Sequence, residues 1–194
     1  SSAASDVYKR QAQDHKCVFD GDKGPNTGGM GSYSPVKKIT SEIIDEAMNE
    51  IMKPMASAMV KEGVPFTGFL YGGLMLTEKG IKTIEFNARF GDPEAEVILP
   101  RLESDFVQAI LDLMDNKPVE LKWTDKVSHG VVLASTNYPA SSTKGSLITG
   151  VDDVDGLVFH MGTKMTDEGL VTDGGRVLMV VTLEDDLQTA FDHT

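Results

Sequence analysis

The sequence of 194 residues contains a single cysteine, Cys17, and a single tryptophan. One cysteine cannot form a disulfide within the chain, so the composition excludes a disulfide-stapled domain and favours a reducing compartment such as the cytoplasm. Basic residues are few, with 18 lysines and arginines against 30 acidic residues and a formal net charge of −12. No apolar run approaches the ~18 residues of a membrane span, and we see no charged-then-apolar leader. We therefore expect no nucleic-acid and no membrane partner.

The segment 81–94, IKTIEFNARFGDPE, is predicted to begin as a β-strand. Because side chains alternate along a strand, Ile84 and Phe86 are expected on a buried face and Glu85 and Asn87 on the opposite face. A carboxylate and an amide oxygen, roughly 6–7 Å apart at their backbones, suit a hard cation such as Mg²⁺. The alternative is an ordinary solvated face of a sheet.

A candidate anion site follows this strand. Arg89 supplies a fixed positive charge, Gly91 comes next, and Asp92 and Pro93 open an apolar run. Asp at the N-cap and Pro at the first helical position are typical of a helix start, and a helix N-terminus favours anions. The alternative for Arg89 is a structural ion pair with Asp92 or Glu94.

A glycine-rich segment lies upstream, where residues 13–35 read QDHKCVFDGDKGPNTGGMGSYSP. Five glycines and two prolines between Gly21 and Pro35 predict that this part forms no regular element. Successive backbone N–H groups in such a segment can form a concave anion trap. It matches neither the dinucleotide-binding pattern nor the P-loop, and a surface linker is the alternative.

The segments DHK…DGDKGPNTGGMGSYSP and IEFNARFGDPEAE, with GFLYGGLM between them and VFH-GTK and GGRVL after them, resemble the phosphoribosylamine–glycine ligase (glycinamide ribonucleotide synthetase) family of the ATP-grasp superfamily. The resemblance runs from about Ala12 to the end. It implies ATP-dependent ligation of glycine to 5-phosphoribosylamine, through a glycyl phosphate, in purine biosynthesis. It also implies Mg²⁺ or Mn²⁺ as the metal, ATP as a substrate and a cytoplasmic location.

The resemblance also implies roles for individual residues. Glu85 and Asn87 are expected to hold the metal, and Arg89 to stabilise the phosphoryl group in transfer. Leu74 or Met75 is expected to pack against adenine, with plain core packing as the alternative. The expected substrate contacts are the side chains of Asp14 and Lys16, the backbone of Gly28, Gly29 and Met30, and the segment Gly91, Asp92 and Pro93.

The implied fold is α+β, an ATP-grasp C-terminal subdomain with an antiparallel-rich sheet and helices, followed by a small mixed α/β domain. The expected division is a foreign or disordered tail at 1–11, the ATP-grasp part with the site at 12–117, a linker at 118–125 and a truncated C-terminal domain at 126–194. An N-terminal part of the same polypeptide, including the lid, is expected to be missing. The alternatives are a non-catalytic phosphate- or nucleotide-binding remnant and an unrelated acidic α/β domain.

Hydrophobic periodicity and turn residues predict the remaining elements. Helices are expected at 40–63, capped by Thr40 or Ser41 and kinked at Pro54, at 92–102, after Ser104 as a cap, and from 185 onward. Strands are expected at 67–76 and 81–87 as a hairpin, and at 127–134, 157–164 and 176–184, with a hairpin turn at 173–175. Cys17 is interpreted as a filler residue rather than a nucleophile, and His160 as a core or edge residue rather than a catalyst.

Overall fold

The computed structural model describes residues 11–194. The described residues form two compact units, one of residues 36–91 and 102–123, the other of residues 11–35, 92–101 and 124–194. This division does not follow the predicted contiguous range 12–117, because residues 11–35 and 92–101 group with the C-terminal part. The change of unit after Trp123 falls within the predicted linker at 118–125. The predicted tail lies outside the described residues apart from Gln11.

The second unit is built on a five-stranded antiparallel sheet. In spatial order the strands are β1 (Gln13–Asp14), β4 (Gly31–Ser34), β7 (Val127–Ala134), β11 (Arg176–Glu184) and β8 (Leu157–His160). The two longest, β7 and β11, are rich in the β-branched residues that favour strands, and they occupy the ranges predicted from the sequence.

One helix packs on each face of this sheet. Val97 of α3 (Glu94–Ile98) lies in a buried cluster with Val132, Met179 and Val181. On the other face lies α5 (Leu187–His193), which confirms the predicted C-terminal helix and is capped by the side chain of Asp186. Thr182 of β11 donates to the Ala190 backbone oxygen of α5. Because strand residues alternate, Thr182 faces away from its neighbour Val181, so the two helices lie on opposite sides of the sheet.

Two small hairpins complete the second unit, and they correct three predictions. They are β2 (Cys17–Phe19) with β3 (Lys23–Asn26), and β9 (Thr163–Thr166) with β10 (Gly169–Thr172). The glycine-rich segment therefore does contain regular structure, since β3 and β4 lie within 21–35. The predicted strand at 157–164 is divided between β8 and β9. The turn at 173–175 joins strands of different sheets, so it is not a hairpin turn.

The first unit contains a long interrupted helix. Segments α1 (Ser41–Ala47) and α2 (Lys53–Lys61) are joined by a π-helical segment, Met48–Met52. Pro54 has no N–H to donate to the preceding turn, and the π-helical segment lies directly before α2, so the helix is divided near Pro54. Thr40 is the N-cap residue, although its side chain forms no capping hydrogen bond.

The rest of the first unit consists of a hairpin and a helix. Strands β5 (Tyr71–Thr77) and β6 (Gly80–Asn87) form the predicted hairpin, with β5 starting four residues later than expected. Helix α4 (Phe106–Met114) is capped by Asp105, whose side chain accepts a hydrogen bond from the Gln108 N–H. The predicted cap, Ser104, instead accepts from the Lys122 N–H. No helix among residues 11–194 is long and apolar enough to cross a membrane.

Two corrections concern the segment after β6. The predicted helix at 92–102 is α3, of five residues, followed by one 3-10 turn, Leu99–Arg101, which contains Pro100. The N-cap residue is Pro93 rather than Asp92. The 3-10 turn ends at Arg101, whose side chain is 1% exposed.

Arg101 holds the second unit together at this point. Its guanidinium donates to the backbone oxygen of Lys126 at 2.9 Å and to the hydroxyl oxygen of Ser34 at 2.7 Å. We predict that Arg101→Met lowers the free energy of unfolding by about 3 kcal/mol, because buried acceptors lose their donor. Urea denaturation measures this, with the exposed Lys164→Met as the control, expected within about 0.5 kcal/mol of wild type. Equal stability of the two variants would contradict the assignment.

Candidate metal and substrate sites

The side chains of Glu85 and Asn87 meet at the end of β6, as their spacing predicts. Asn87 Nδ2 donates a hydrogen bond to Glu85 Oε1 at 3.0 Å. Their cross-strand partners are Gly73 and Tyr71. A Cβ at Gly73 would lie 3.2 Å from Glu85 Cγ, so a side chain at this position would have to displace that of Glu85 slightly.

A β-bulge changes the expected role of Ile84. The register passes from Glu85 opposite Gly73 to Thr83 opposite Leu74, which leaves Ile84 without a cross-strand partner. The bulge accounts for the 64% exposure of Ile84, so the prediction that it is buried with Phe86 is wrong. Phe86 itself is half-buried.

The Glu85–Asn87 pair fits a hard divalent cation. Carboxylate and amide oxygens are the ligands that Mg²⁺ accepts, and this ion keeps waters and substrate phosphates as its other ligands. Among residues 11–194, no group of three or more histidine, cysteine, aspartate or glutamate residues could hold a metal by itself. A cation at this pair would therefore depend on ligands such as phosphate oxygens.

Leu74 and Met75 lie on opposite faces of the hairpin. Met75 pairs with Lys82 and shares the Glu85 face by alternation, and it is 52% exposed. Leu74 pairs with Thr83 on the face of Phe86 and is half-buried. A base stacked beside the metal pair could therefore contact Met75 but not Leu74, so the two are not equivalent candidates for adenine.

Arg89 is exposed at the end of the same segment. Its Nη1 donates to the backbone oxygen of Phe90 at 2.7 Å. The Phe90 ring packs against Phe69 and Phe106, with ring centroids 4.3 and 6.1 Å away. This aromatic cluster fixes the chain directly after Arg89. The carboxylate of Asp92, an alternative partner for Arg89, instead forms an ion pair with Arg176.

Asp14 and Lys16, the predicted substrate-side residues, form an ion pair in the second unit. Lys16 Nζ lies 2.7 Å from Asp14 Oδ2, and the two side chains are 53% and 8% exposed. Asp14 Oδ1 is buried and has no hydrogen-bond partner among the described residues. Burial raises the pKa of the Asp14 carboxyl above its ordinary value, and Lys16 opposes this effect.

Gly29 and Pro93 pack against this carboxylate. Gly29 has a φ of +119°, which favours glycine, and an added Cβ would lie 2.6 Å from Asp14 Oδ1 and closer still to Pro93 Cδ. Ser32 Oγ donates to the Pro93 backbone oxygen at 2.7 Å. Three residues expected at the substrate site, Asp14, Gly29 and Pro93, therefore lie together.

The predicted anion trap is closed in this structure. The Gly28 N–H donates to Tyr138 Oη, the Gly29 N–H to Thr27 Oγ1 and the Met30 N–H to the His15 backbone oxygen. The Met30 oxygen also accepts from the Val132 N–H. Because the N–H and the carbonyl oxygen of Met30 both form hydrogen bonds within the protein, neither group is available to contact a ligand. The helix start also differs from the expected one, since the N-cap residue is Pro93 rather than Asp92 and the helix has five residues.

Arg176 is the residue that the sequence reasoning missed. Its Nη1 lies 2.8 Å from Asp92 Oδ1 and donates to the backbone oxygens of Asp92 at 3.0 Å and Gly28 at 3.1 Å. The available signal was a lone arginine between Asp173-Gly174-Gly175 and an apolar strand. Arg176 is part of the motif GGRVL, but the local sequence pattern does not predict that Gly28 and Asp92 are its partners.

Cys17 and His160 keep the non-catalytic interpretations given to them. Cys17 is half-buried, and its thiol pKa is raised chiefly by a hydrogen bond with Asp22, which disfavours the nucleophilic thiolate. His160 ends the edge strand β8, where it is exposed, and its Nδ1 lies 3.0 Å from Thr163 Oγ1.

Comparison with known proteins gives a consistent result. The family model of the phosphoribosylglycinamide synthetase ATP-grasp (A) domain matches residues 4–95, and that of the C domain of the same enzyme matches residues 128–194. The chain belongs to the phosphoribosylglycinamide synthetase family. The first match begins at residue 4, within the segment predicted as a foreign tail. Membership confirms the resemblance seen in the motifs.

Individual members of the phosphoribosylglycinamide synthetase family align over nearly the whole chain. The phosphoribosylamine–glycine ligase of Halalkalibacterium halodurans is 54% identical over 92% of this chain, and that of Streptococcus pneumoniae is 48% identical over 92%. The chain spans 42–43% of the length of these curated relatives. The crystal structure of the Thermotoga maritima phosphoribosylamine–glycine ligase matches 95% of this chain and 46% of its own, with a TM-score of 0.82 and 37% identity. This match confirms the predicted α+β ATP-grasp fold.

The raised pKa of Asp14 predicts a pH dependence of stability. The folded state disfavours the carboxylate, so wild type loses stability relative to Asp14→Asn as the pH rises from 3.8, the ordinary pKa of an aspartate side chain, through the raised pKa of Asp14, and the difference levels off above it. Urea denaturation between pH 3 and pH 7 measures this difference. In the Lys16→Met background the loss should be larger, because the opposing cation is gone. A difference that shrinks with rising pH would contradict the burial of an ionisable Asp14.

Proposed function

We propose that this chain forms the metal- and substrate-binding part of a ligase that joins glycine to 5-phosphoribosylamine at the expense of ATP, giving glycinamide ribonucleotide, ADP and phosphate. The observation that carries the proposal is the contact between Glu85 and Asn87 on one strand face, in a chain of the phosphoribosylglycinamide synthetase family. Such a ligase would act in purine biosynthesis in the cytoplasm, on small molecules, with no nucleic acid or membrane as partner.

Glu85 and Asn87 are the proposed metal ligands. A bound Mg²⁺ or Mn²⁺ would neutralise charge on the phosphates of ATP. Glu85 contributes the negative charge and Asn87 a neutral oxygen, and their hydrogen bond holds each side chain on the same face before a ligand arrives. Met75, exposed on that face, is our candidate for packing against adenine, and Leu74 is assigned to the opposite, half-buried face.

Arg89 is the proposed catalytic residue. Its guanidinium is always charged and planar, which suits the oxygens of a phosphoryl group in transfer. Holding one Nη at the Phe90 oxygen limits the rotamers of the side chain, while the remaining N–H groups extend from an exposed position. This arrangement favours a contact with substrate over a buried structural role.

The second unit supplies the proposed substrate contacts. Asp14 offers a buried oxygen that has no hydrogen-bond partner among the described residues, and Lys16 offers an exposed cation, so the pair can accept from an amine and donate to an anion. Gly28 is exposed and Gly29 lies against the Asp14 carboxylate, and both remain proposed backbone contacts. Gly91, Asp92 and Pro93 remain candidates for holding glycine.

The proposed reaction needs no covalent protein nucleophile. The glycine carboxylate takes the γ-phosphoryl group of ATP, releasing ADP and forming glycyl phosphate. The amine of phosphoribosylamine then attacks the acyl carbon, the C–O bond to phosphate breaks, and the amine loses a proton as the amide forms. A serine, histidine or cysteine nucleophile is therefore not required.

We predict that Glu85→Ala, made at the matching position of a full-length relative, reduces turnover by at least 10³-fold, because the metal loses its charged ligand. ADP release dependent on glycine, phosphoribosylamine and Mg²⁺ measures turnover. The exposed Glu78→Ala on the same hairpin is the matched control and should keep wild-type activity. In the 194-residue chain, Mn²⁺·ATP should broaden the NMR signals of Asn87 in wild type but not in Glu85→Ala. A near-normal rate, or broadening unchanged by the substitution, would remove Glu85 from the metal site.

We also predict that the 194-residue chain releases no ADP by itself. It spans about two fifths of the relatives' length, and the ATP grip of the family is expected to need the missing lid. The measurement is the same ADP assay, with a full-length relative as the positive control. Robust turnover by the chain would show that the lid is dispensable.

A further inference from the structure

Arg176 makes its contacts with one end of its guanidinium. Nη1 reaches Asp92 Oδ1 at 2.8 Å, the Asp92 backbone oxygen at 3.0 Å and the Gly28 backbone oxygen at 3.1 Å. The side chain is 19% exposed. Two segments far apart in sequence, the glycine-rich segment and the start of α3, are thereby tied to the first residue of β11.

Gly28 is held from two sides. Its N–H donates to Tyr138 Oη at 3.0 Å while its oxygen accepts from Arg176. A Cβ at Gly28 would lie 3.0 Å from both Cζ and Nε of Arg176, so the backbone packs against the flat face of the guanidinium. This close approach fixes the orientation of the peptide groups next to Gly29.

An alternative role for Arg176 is to bind an anionic ligand directly. Nε and Nη2 have no hydrogen-bond partner within residues 11–194. However, Asp92 neutralises the guanidinium at 2.8 Å. The pKa of the neighbouring Glu96 carboxyl is raised chiefly by burial, and Asp92 and Glu94 add to this effect while Arg176 opposes it. The surrounding carboxylates therefore oppose an anionic ligand.

We propose that Arg176 is a positioning residue, which holds Gly28 and Asp92 in the arrangement that the substrate requires without touching the substrate. This inference rests on the proposed function and adds a residue that the family motifs did not assign. Because Arg176 acts through two backbone oxygens and one carboxylate at once, it needs a planar donor group as well as a charge. A lysine, which offers a single nitrogen on a flexible stem, should restore the ion pair but not the whole arrangement.

The test compares four single variants of the 194-residue chain and the double variant that combines Arg176→Met with Gly28→Ala. Arg176→Met removes the contacts, Arg176→Lys keeps the charge, and Gly28→Ala displaces the guanidinium with a methyl group. Lys164→Met is the matched control, which removes an exposed cation of the same unit. Amide hydrogen exchange measured by NMR at positions 28 and 29 reports the order of the segment, and exchange at Val181 in β11, which pairs with both β7 and β8, reports the stability of the sheet.

We expect amide exchange at positions 28 and 29 to be at least tenfold faster than in wild type in both Arg176→Met and Gly28→Ala. The rate in Arg176→Lys should be intermediate, and that in Lys164→Met should equal the wild-type rate. The double variant should be no faster than Arg176→Met, because both changes break the same contact. Exchange at Val181 should change less than twofold. Unchanged exchange at position 28 in both Arg176→Met and Gly28→Ala, or an equal increase at Val181, would overturn the proposal.

A kinetic measurement separates this proposal from the proposed function. In a full-length relative with the matching substitution, Arg176→Met should raise the KM for glycine or phosphoribosylamine at least tenfold and change kcat less than threefold, with partial rescue by lysine. A loss confined to kcat would instead make Arg176 a catalytic residue and overturn the positioning role. If the wild-type relative shows no ligase activity, the proposed function is wrong. The exchange experiment still decides whether Arg176 orders the glycine-rich segment.

Discussion

The pairing of β7 with β11 is the constraint on which the second unit depends. These strands match over eight residues, from Glu184 opposite Val127 to Arg176 opposite Ala134. The Val132 N–H reaches back to the Met30 oxygen, and Ser128 Oγ donates to the Val97 oxygen of α3. One pair of strands therefore sets the position of the glycine-rich segment and of α3. The proposed substrate-side residues Asp14, Gly29 and Pro93 lie together because both segments are tied to this sheet.

Local pattern was sufficient where an element is defined by its own residues. The strands at 127–134 and 176–184 have enough β-branched residues, and enough length, to be recognised without their partners. The hairpin of β5 and β6 is marked by a glycine in its turn, and the contact between Glu85 and Asn87 follows from the two-residue period of a strand. The family resemblance likewise rests on contiguous motifs.

Sequence reasoning failed where a distant partner decides the structure. Glycines and prolines in 21–35 predicted a segment without regular structure, but β4 is formed because β7 supplies its hydrogen bonds. Alternation placed Ile84 in the core, whereas a bulge, which no local signal marks, leaves it exposed. Asp92 reads as a helix cap until Arg176, 84 residues away, takes its carboxylate.

The hairpin of β5 and β6, which carries the proposed metal pair Glu85 and Asn87, forms a two-stranded sheet of its own. A two-stranded sheet is marginal in water and depends on what covers it; here the Met52 Sδ approaches Gly72, and Phe90 anchors the end of the hairpin in an aromatic cluster. Its opening free energy should therefore lie below that of global unfolding. A ligand that binds only the closed hairpin would shift this local equilibrium by mass action, so occupancy of the metal pair and order in the hairpin are thermodynamically linked.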